Sequence, residues 1–428
     1  MDHDLCRLTA SEAAQRIAAR DIKAEELVRS CLDRIEAREA TVGAWEHVDP
    51  DNVLAEARKR DAEPARGPLH GIPVGVKDII DTDDMPTRMA SPIYADNHPD
   101  RDAACVAAIR AGGGIIMGKT VTTEFATFKP GKTVNPHNIT HTPGGSSSGT
   151  AAAVADFMVP AGFGTQTSGS VIRPASFCGV CGFKPSFGAV SREGVKLIVP
   201  SLDCVGYMAR SFDDLSLIHA VVTGAENAPL PDGPSPSPRI AICRSPLWHD
   251  AEPATVAAFE QTINRLQDFG TGTEEIELPG HFDGLEAAHA TIMDVGLARS
   301  LRPEYDSHRE LLSERLLERM ERGMNRSTNE YLRALALAAR CRAEIDDLLS
   351  QWDGFLTPSA RGEAPVGFAM TGHPTFNMIW TLLHVACVTV PGLTGPTGLP
   401  VGLQLVAGHG ADNRLLALGK WLHSRLTI

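Results

Sequence analysis

Apolar residues recur at helical spacing near the start of the chain. Leu27, Cys31, Leu32 and Ile35 fall on one face of a 3.6-residue period, so residues 8–38 predict amphipathic helices packed on a core. Thr9-Ala10-Ser11-Glu12 opens the first, with Thr9 or Ser11 as the capping residue. From about residue 68 the texture changes to short apolar runs bounded by Gly or Pro, such as Gly71 to Val76 and Gly114 to Met117, with a helical stretch over 101–112 between them. Strand alternating with helix predicts an α/β sheet. Ile240 to Cys243, Phe355 to Pro358 and Cys387 to Pro391 read as further strands, and 251–268 and 281–350 as helices rich in Ala, Leu, Arg and Glu. Residues 225–238 are Pro-rich and read as a surface linker. There is no internal repeat.

Residues 140–188 break this texture. They are crowded with Gly, Ser, Thr and Ala and carry few charges. A flexible linker has a similar composition. Ala151 to Ala155 is apolar, however, and Phe177 to Phe183 holds aromatics and cysteines. The segment therefore reads as closely packed backbone in which side chains must be small.

Composition narrows the function. The 428 residues are 43% hydrophobic and 22% charged, as in globular proteins large enough to bury a sizeable core. A net charge of −13 without basic clusters argues against nucleic-acid binding. No long uncharged apolar run is present, so no membrane span is expected. The acidic Met1-Asp2-His3-Asp4 start does not read as a signal peptide. Nine scattered cysteines suggest reduced thiols and a cytoplasmic setting.

Three small-residue clusters could carry chemistry. In Gly71-Ile72-Pro73-Val74-Gly75-Val76-Lys77-Asp78, a lysine ends an apolar run. It either reaches solvent or pairs with Asp78, or it is buried as a neutral amine able to act as a base. Pro143-Gly144-Gly145-Ser146-Ser147-Ser148-Gly149-Thr150 lacks the Gly-Lys-Ser/Thr ending of a phosphate loop. It reads as a flexible loop, or as glycines that let backbone approach a substrate. In Gly164-Thr165-Gln166-Thr167-Ser168-Gly169-Ser170, consecutive small residues form a plain turn or aim backbone N–H groups at one point, as an oxyanion hole requires. Cys178-Gly179-Val180-Cys181 and the pair His137 and His141 have metal-like spacings but no second ligand pair, so thiols buried for packing are the expectation and no metal is implied.

Taken together and in this order, the clusters resemble the amidase signature family. The shared pattern is Gly-Ile-Pro-x-x-x-Lys-Asp around Lys77, Gly-Gly-Ser-Ser-x-Gly at 144–149, and Gly-Thr-x-x-x-Gly-Ser followed by Pro-Ala-x-x-Cys-Gly-x-x-Gly-x-Lys-Pro from Gly164 to Pro185. It continues through Ser201-Leu202-Asp203 and Gly398 to Gln404, and is weakest over about 245–350. The resemblance implies one domain over 1–428, with the motifs in a core at 60–225 and a more variable helical region at 245–350. It implies a large mixed, mostly parallel sheet covered by helices on both faces. Lys77 takes the place of the base, Ser146 that of a bridging serine with a cis peptide bond, and Ser170 that of the nucleophile. Thr167, Ser168 and Gly169 join Ser170 in the oxyanion hole. The implied activity is hydrolysis of a small linear amide through a seryl acyl-enzyme, without cofactor, in a homodimer. The alternative is a catalytic subunit of a tRNA-transamidating complex.

Two departures stand out. The family usually has Asp-x-Gly-Gly-Ser, where this chain has Gln166 and Ser168. Gln166 keeps hydrogen-bonding capacity and is expected at the substrate; Ser168 adds a side chain and is a rival nucleophile. Within the family, Asp78 to Thr82, Asn135 to Asn138 and Gly164 to Pro174 look closest to the malonamidases. There an arginine three residues past the nucleophile binds substrate carboxylate. Arg173 has that position here, as a carboxylate ligand or as a tie for Pro174 and its loop.

Overall fold

The computed structural model describes residues 4–226, 228–231 and 237–427. Eleven strands form one continuous sheet: β1 (Trp45–His47), β2 (Pro73–Lys77), β3 (Ile115–Thr120), β4 (Ala161–Gln166), β5 (Cys181–Lys184), β6 (Cys204–Ala209), β7 (Arg239–Cys243), β8 (Gly272–Ile276), β9 (Gly354–Pro358), β10 (Ala386–Thr394) and β11 (Pro400–Ala407). Their order is β1-β3-β2-β4-β6-β5-β10-β11-β9-β7-β8.

The expected mixed sheet is present, but parallel pairing does not dominate it. Among the described residues, β3/β2, β2/β4, β9/β7 and β7/β8 pair in parallel. The other six contacts along the order are antiparallel. The physical reason lies in the connections. Parallel neighbours need a helical crossover, such as 104–111 between β2 and β3, or 148–155 on the path that returns the chain to β4 beside β2. The tight Gly395–Gly398 turn instead folds β10 directly back on β11. The strands β1, β4, β5, β6, β8 and β11 are not among those the sequence predicts.

The middle of the sheet shows why the 140–188 segment is so small-grained. Phe163, Phe183 and Tyr207 point to one face, where they meet one another and His219 of the helix Phe212–Thr223. Each is preceded in its strand by a glycine, Gly162, Gly182 or Gly206, and Phe163 is also followed by one, Gly164; successive residues face opposite sides. A Cβ on Gly164 would lie 2.7 Å from Ser147 Oγ, and one on Gly182 would lie 2.5 Å from Ala175 Cβ. The helices Ser148–Ala155 and Ile172–Cys178 therefore sit almost on the backbone of the sheet. Aromatic bulk fills the opposite face.

The N-terminal stretch is two helices, Ala10–Ala18 and Ala24–Val42, and Thr9 rather than Ser11 is the cap, in a reciprocal capping box with Glu12. The 281–350 region is four α-helices, Leu285–Ser300, Arg302–His308, Glu314–Met324 and Thr328–Leu349, with short 3-10 turns beside them. Of the expected linker, residues 227 and 232–236 lie outside the described residues, and the rest of it has no regular structure. No helix among the described residues is long and apolar enough to cross a membrane.

Candidate active site

Lys77 is the last residue of β2, between two parallel neighbours, and its side chain is fully buried. Its Nζ lies 2.8 Å from Ser146 Oγ, 2.8 Å from Thr165 Oγ1 and 3.5 Å from the Thr165 carbonyl. Neither solvent nor Asp78 takes it up. Asp78 turns away, accepting from the Arg88 N–H and lying 3.8 Å from Lys119. Burial pushes the Lys77 amine well below its ordinary 10.5, and the charge of Asp203 opposes this. Two hydroxyls, each able to donate as well as accept, are suitable company for a neutral amine.

Ser146 follows a cis peptide bond from Gly145, as the resemblance implies. Gly144 beside it has φ +83°, and a Cβ there would lie 2.8 Å from Pro174 Cα, so only glycine fits this approach. The same loop reaches Ser170 through Ser147 N–H, which donates to the Ser170 carbonyl at 3.4 Å. Ser170 is 9% exposed, and its side chain lines a cavity of about 180 Å³. No hydrogen bond joins the Ser146 and Ser170 hydroxyls, and catalytic hydrogen bonds often tighten only around substrate.

Between β4 and the helix Ile172–Cys178, the N–H groups of Ser168, Gly169 and Ser170 have no protein acceptor among the described residues. Three successive free donors, with Ser168 and Ser170 on the cavity wall, are what a developing oxyanion needs. Gly169 is dictated by Asn377, whose Oδ1 would lie 2.4 Å from a Cβ there. Thr167 is held from behind by Asp203, which accepts from its hydroxyl at 2.6 Å and from the Ile198 and Val199 N–H groups at 2.8 Å. Burial raises that carboxyl to about 6.

Gln166 does not reach the cavity. Its Oε1 accepts from Val171 and Ile172 N–H at 2.9 and 3.0 Å, and its Nε2 donates to Thr381 at 3.0 Å. It is fully buried and holds the start of the helix after Ser170. Its uncharged amide satisfies donors and an acceptor together, as a carboxylate could not.

Ser168 does face the cavity, next to His289. His289 Nε2 lies 3.1 Å from the Thr167 carbonyl and 3.2 Å from Ser168 Oγ. A carbonyl only accepts, so this nitrogen carries the hydrogen and cannot take one from Ser168. Burial, the largest influence on the imidazole, lowers it to about 4, which keeps it neutral. Ser168 thus lacks a base, whereas the loop beside Ser170 carries Ser146, which is bonded to Lys77.

Arg173 is buried on the cavity wall. One Nη donates to the Gly145 carbonyl at 2.6 Å and to Thr371 Oγ1 at 3.2 Å, while Nε and the other Nη have no partner. It faces no carboxylate, and burial lowers it to about 10. It does brace the loop, though through Gly145 rather than Pro174. Cys178 and Cys181 are buried, and burial pushes both thiols up. His137 Nε2 meets the Cys178 carbonyl at 2.9 Å, and His141 lies 3.0 Å from the Thr140 hydroxyl.

Sequence reasoning missed His289, Arg315, Arg319 and His373, all of which line the cavity. A faint signal existed. Glu286, His289 and Met293 share one helix face, and Arg315 and Arg319 are four apart.

A buried amine hydrogen-bonded to a serine, a second serine at a cavity and free backbone donors beside it make this a candidate site for acyl transfer. The chain belongs to the amidase family, whose profile matches residues 26–416; these are enzymes acting on carbon–nitrogen bonds. It is 33% identical to the glutamyl-tRNA(Gln) amidotransferase A-subunit of Anaeromyxobacter sp. (strain K), over 94% of this chain and 93% of that one. Among solved structures it is similar to an amidase (28% identity, TM-score 0.89, covering 98% and 100% of the two chains). It is also similar to the peptide amidase of Stenotrophomonas maltophilia (26% identity, TM-score 0.83, covering 99% and 98%).

Proposed function

We propose that this protein hydrolyses a small linear amide bearing a carboxylate, using Ser170 as nucleophile. Neutral Lys77 takes a proton from Ser146 as Ser146 takes one from Ser170, and the Ser170 oxygen attacks the amide carbon. The N–H groups of residues 167–170 hold the oxyanion, each worth roughly 3 kcal/mol. The carbon–nitrogen bond then breaks as the proton returns by the same route to the leaving amine. Water then gives a proton to the relay as its oxygen bonds the acyl carbon; the carbon–Oγ bond breaks, the relay returns the proton to Ser170, and the acid leaves. The observation that carries this reading is the bond of 2.8 Å from the buried Lys77 amine to Ser146. Arg173 carries the carboxylate part: two of its nitrogens face no acceptor, and guanidinium pairs carboxylate through two parallel bonds.

The test is ammonia release from a panel of amides with and without a terminal carboxylate. Ser170→Ala abolishes release from all. Arg173→Ala raises KM about a hundredfold for malonamate-like amides and spares uncharged ones. Equal effects on both groups overturn the role of Arg173.

A second reading is the catalytic subunit of an assembly that amidates aminoacyl-tRNA. The identity of 33% with one chain of a glutamyl-tRNA(Gln) amidotransferase favours it, and the known relatives weigh more toward this setting than toward a malonamate-like substrate. The cavity weighs the other way. Glutamine brings an ammonium group, and Glu286 is the single acid among the described lining residues, against three arginines. Glutamine turnover that rises when partner proteins are added decides for the second reading.

A further inference from the structure

We propose that Arg315 and Arg319 form a second anion-binding point in the cavity that holds Arg173, so that the amide accepted there carries two acidic groups. This rests on the hydrolytic reading above and names its substrate class more closely. Both arginines lie on the helix Glu314–Met324 and line the cavity. The helix start is pinned to the sheet side of the molecule: the buried Glu124 carboxylate accepts from Ser313 N–H at 3.0 Å and from the Ser313 hydroxyl. Both guanidinium groups then stack on one ring, with Arg315 5.3 Å and Arg319 5.1 Å from the Phe128 centroid. Two like charges one helical turn apart repel each other, and such a pair is held close only at a cost.

The compensating charge is incomplete. Asp294, buried on the helix Leu285–Ser300, serves Arg319, Arg322 and Arg326 together. Arg315 has no carboxylate partner among the described residues, and neither has Arg173. His373, beside the same cavity, reports where these charges are: after burial, the influences lowering it to about 4 are Arg361, Arg173 and Arg315. Arg173, Arg315 and His373 all line this one cavity. A ligand with a single carboxylate leaves one of these cations unmatched, and an ammonium group adds to the repulsion. A ligand with two acidic groups matches both.

The experiment is calorimetric binding of succinate and of butyrate to the full chain at low salt, two probes of equal carbon count that differ by one carboxylate. Succinate binds at least tenfold more tightly to the wild type, and in Arg315→Gln the ratio falls below about threefold. Equal affinities in the wild type overturn the proposal. So does a ratio that survives both Arg315→Gln and the Arg315→Gln/Arg319→Gln pair. A chain that prefers succinate yet hydrolyses no amide refutes the proposed reaction and leaves the two-point grip standing; amide turnover without succinate preference does the reverse.

Discussion

Lys77 and Lys119 lie on neighbouring parallel strands, and neither side chain reaches solvent. Lys119 meets the Ile80 carbonyl and the Thr87 hydroxyl at 2.6 Å, and it has a carboxylate, Asp78, at 3.8 Å. Burial still lowers it, but to about 8, because Asp78 and Asp81 pull the other way. Lys77 meets two hydroxyls and, at 3.5 Å, a carbonyl, and it has no adjacent carboxylate. The same residue type at the same depth is thus a paired structural ammonium in one place and, in the proposed reaction, the neutral base in the other. What decides is the partner set.

The contrast between the two lysines shows most visibly when each amine is removed. Lys77→Met lowers kcat by about 10³ or more, within the range attributed to general bases. Its fold, read by circular dichroism, is kept. Lys119→Met acts on stability, by about 3–5 kcal/mol in chemical denaturation, because Asp78 is left buried without its cation. Combining it with Asp78→Asn recovers part of that loss, while no second change recovers Lys77→Met. If Lys119→Met is as inactive as Lys77→Met and equally stable, the contrast fails.

Ser146→Ala is expected to slow acylation by about 10²-fold, since it removes the bridge and leaves both ends of the relay. Stopped-flow measurement of the acyl-enzyme burst checks this. The pH response separates the two lysines next. The Lys77 base works only when unprotonated, so kcat/KM rises with pH and then levels off. For Lys119 the folded value of about 8 lies below the unfolded 10.5. Between these values the unfolded chain binds more protons, so this group makes stability rise with pH across that window. Lys119→Met flattens that slope in denaturation curves recorded from pH 8 upward. The smallest effects come from the matched threonines. Thr165→Val lowers kcat a few-fold by loosening Lys77, whereas Thr87→Val loses about 1 kcal/mol of stability with kcat unchanged.

Much of the site was legible because its chemistry demands small residues in fixed positions. Gly144, Gly164, Gly169 and Gly182 are each required by a close approach visible in the packing, and such demands leave a readable run of Gly, Ser and Ala. Lys77 was legible as an oddity, a charge closing an apolar strand. Gln166 was misplaced because the sequence gives its hydrogen-bonding capacity without its direction, which Val171, Ile172 and Thr381 set. The far wall was not legible. His289, Arg315 and Arg319 reach the cavity by the packing of helices distant in sequence, and surface helices are normally rich in such residues. The proportion of parallel pairing was likewise hidden, since it depends on which strands become neighbours.

In the proposed mechanism Lys77 activates Ser170 through Ser146. The most direct measurement is intact-protein mass spectrometry of labelling by a fluorophosphonate, with the adduct mapped by peptide digestion. The prediction is one adduct, on Ser170, forming at least a hundredfold more slowly in both Lys77→Met and Ser146→Ala. An adduct on Ser168, or labelling of Ser170 at an unchanged rate in either variant, would contradict it.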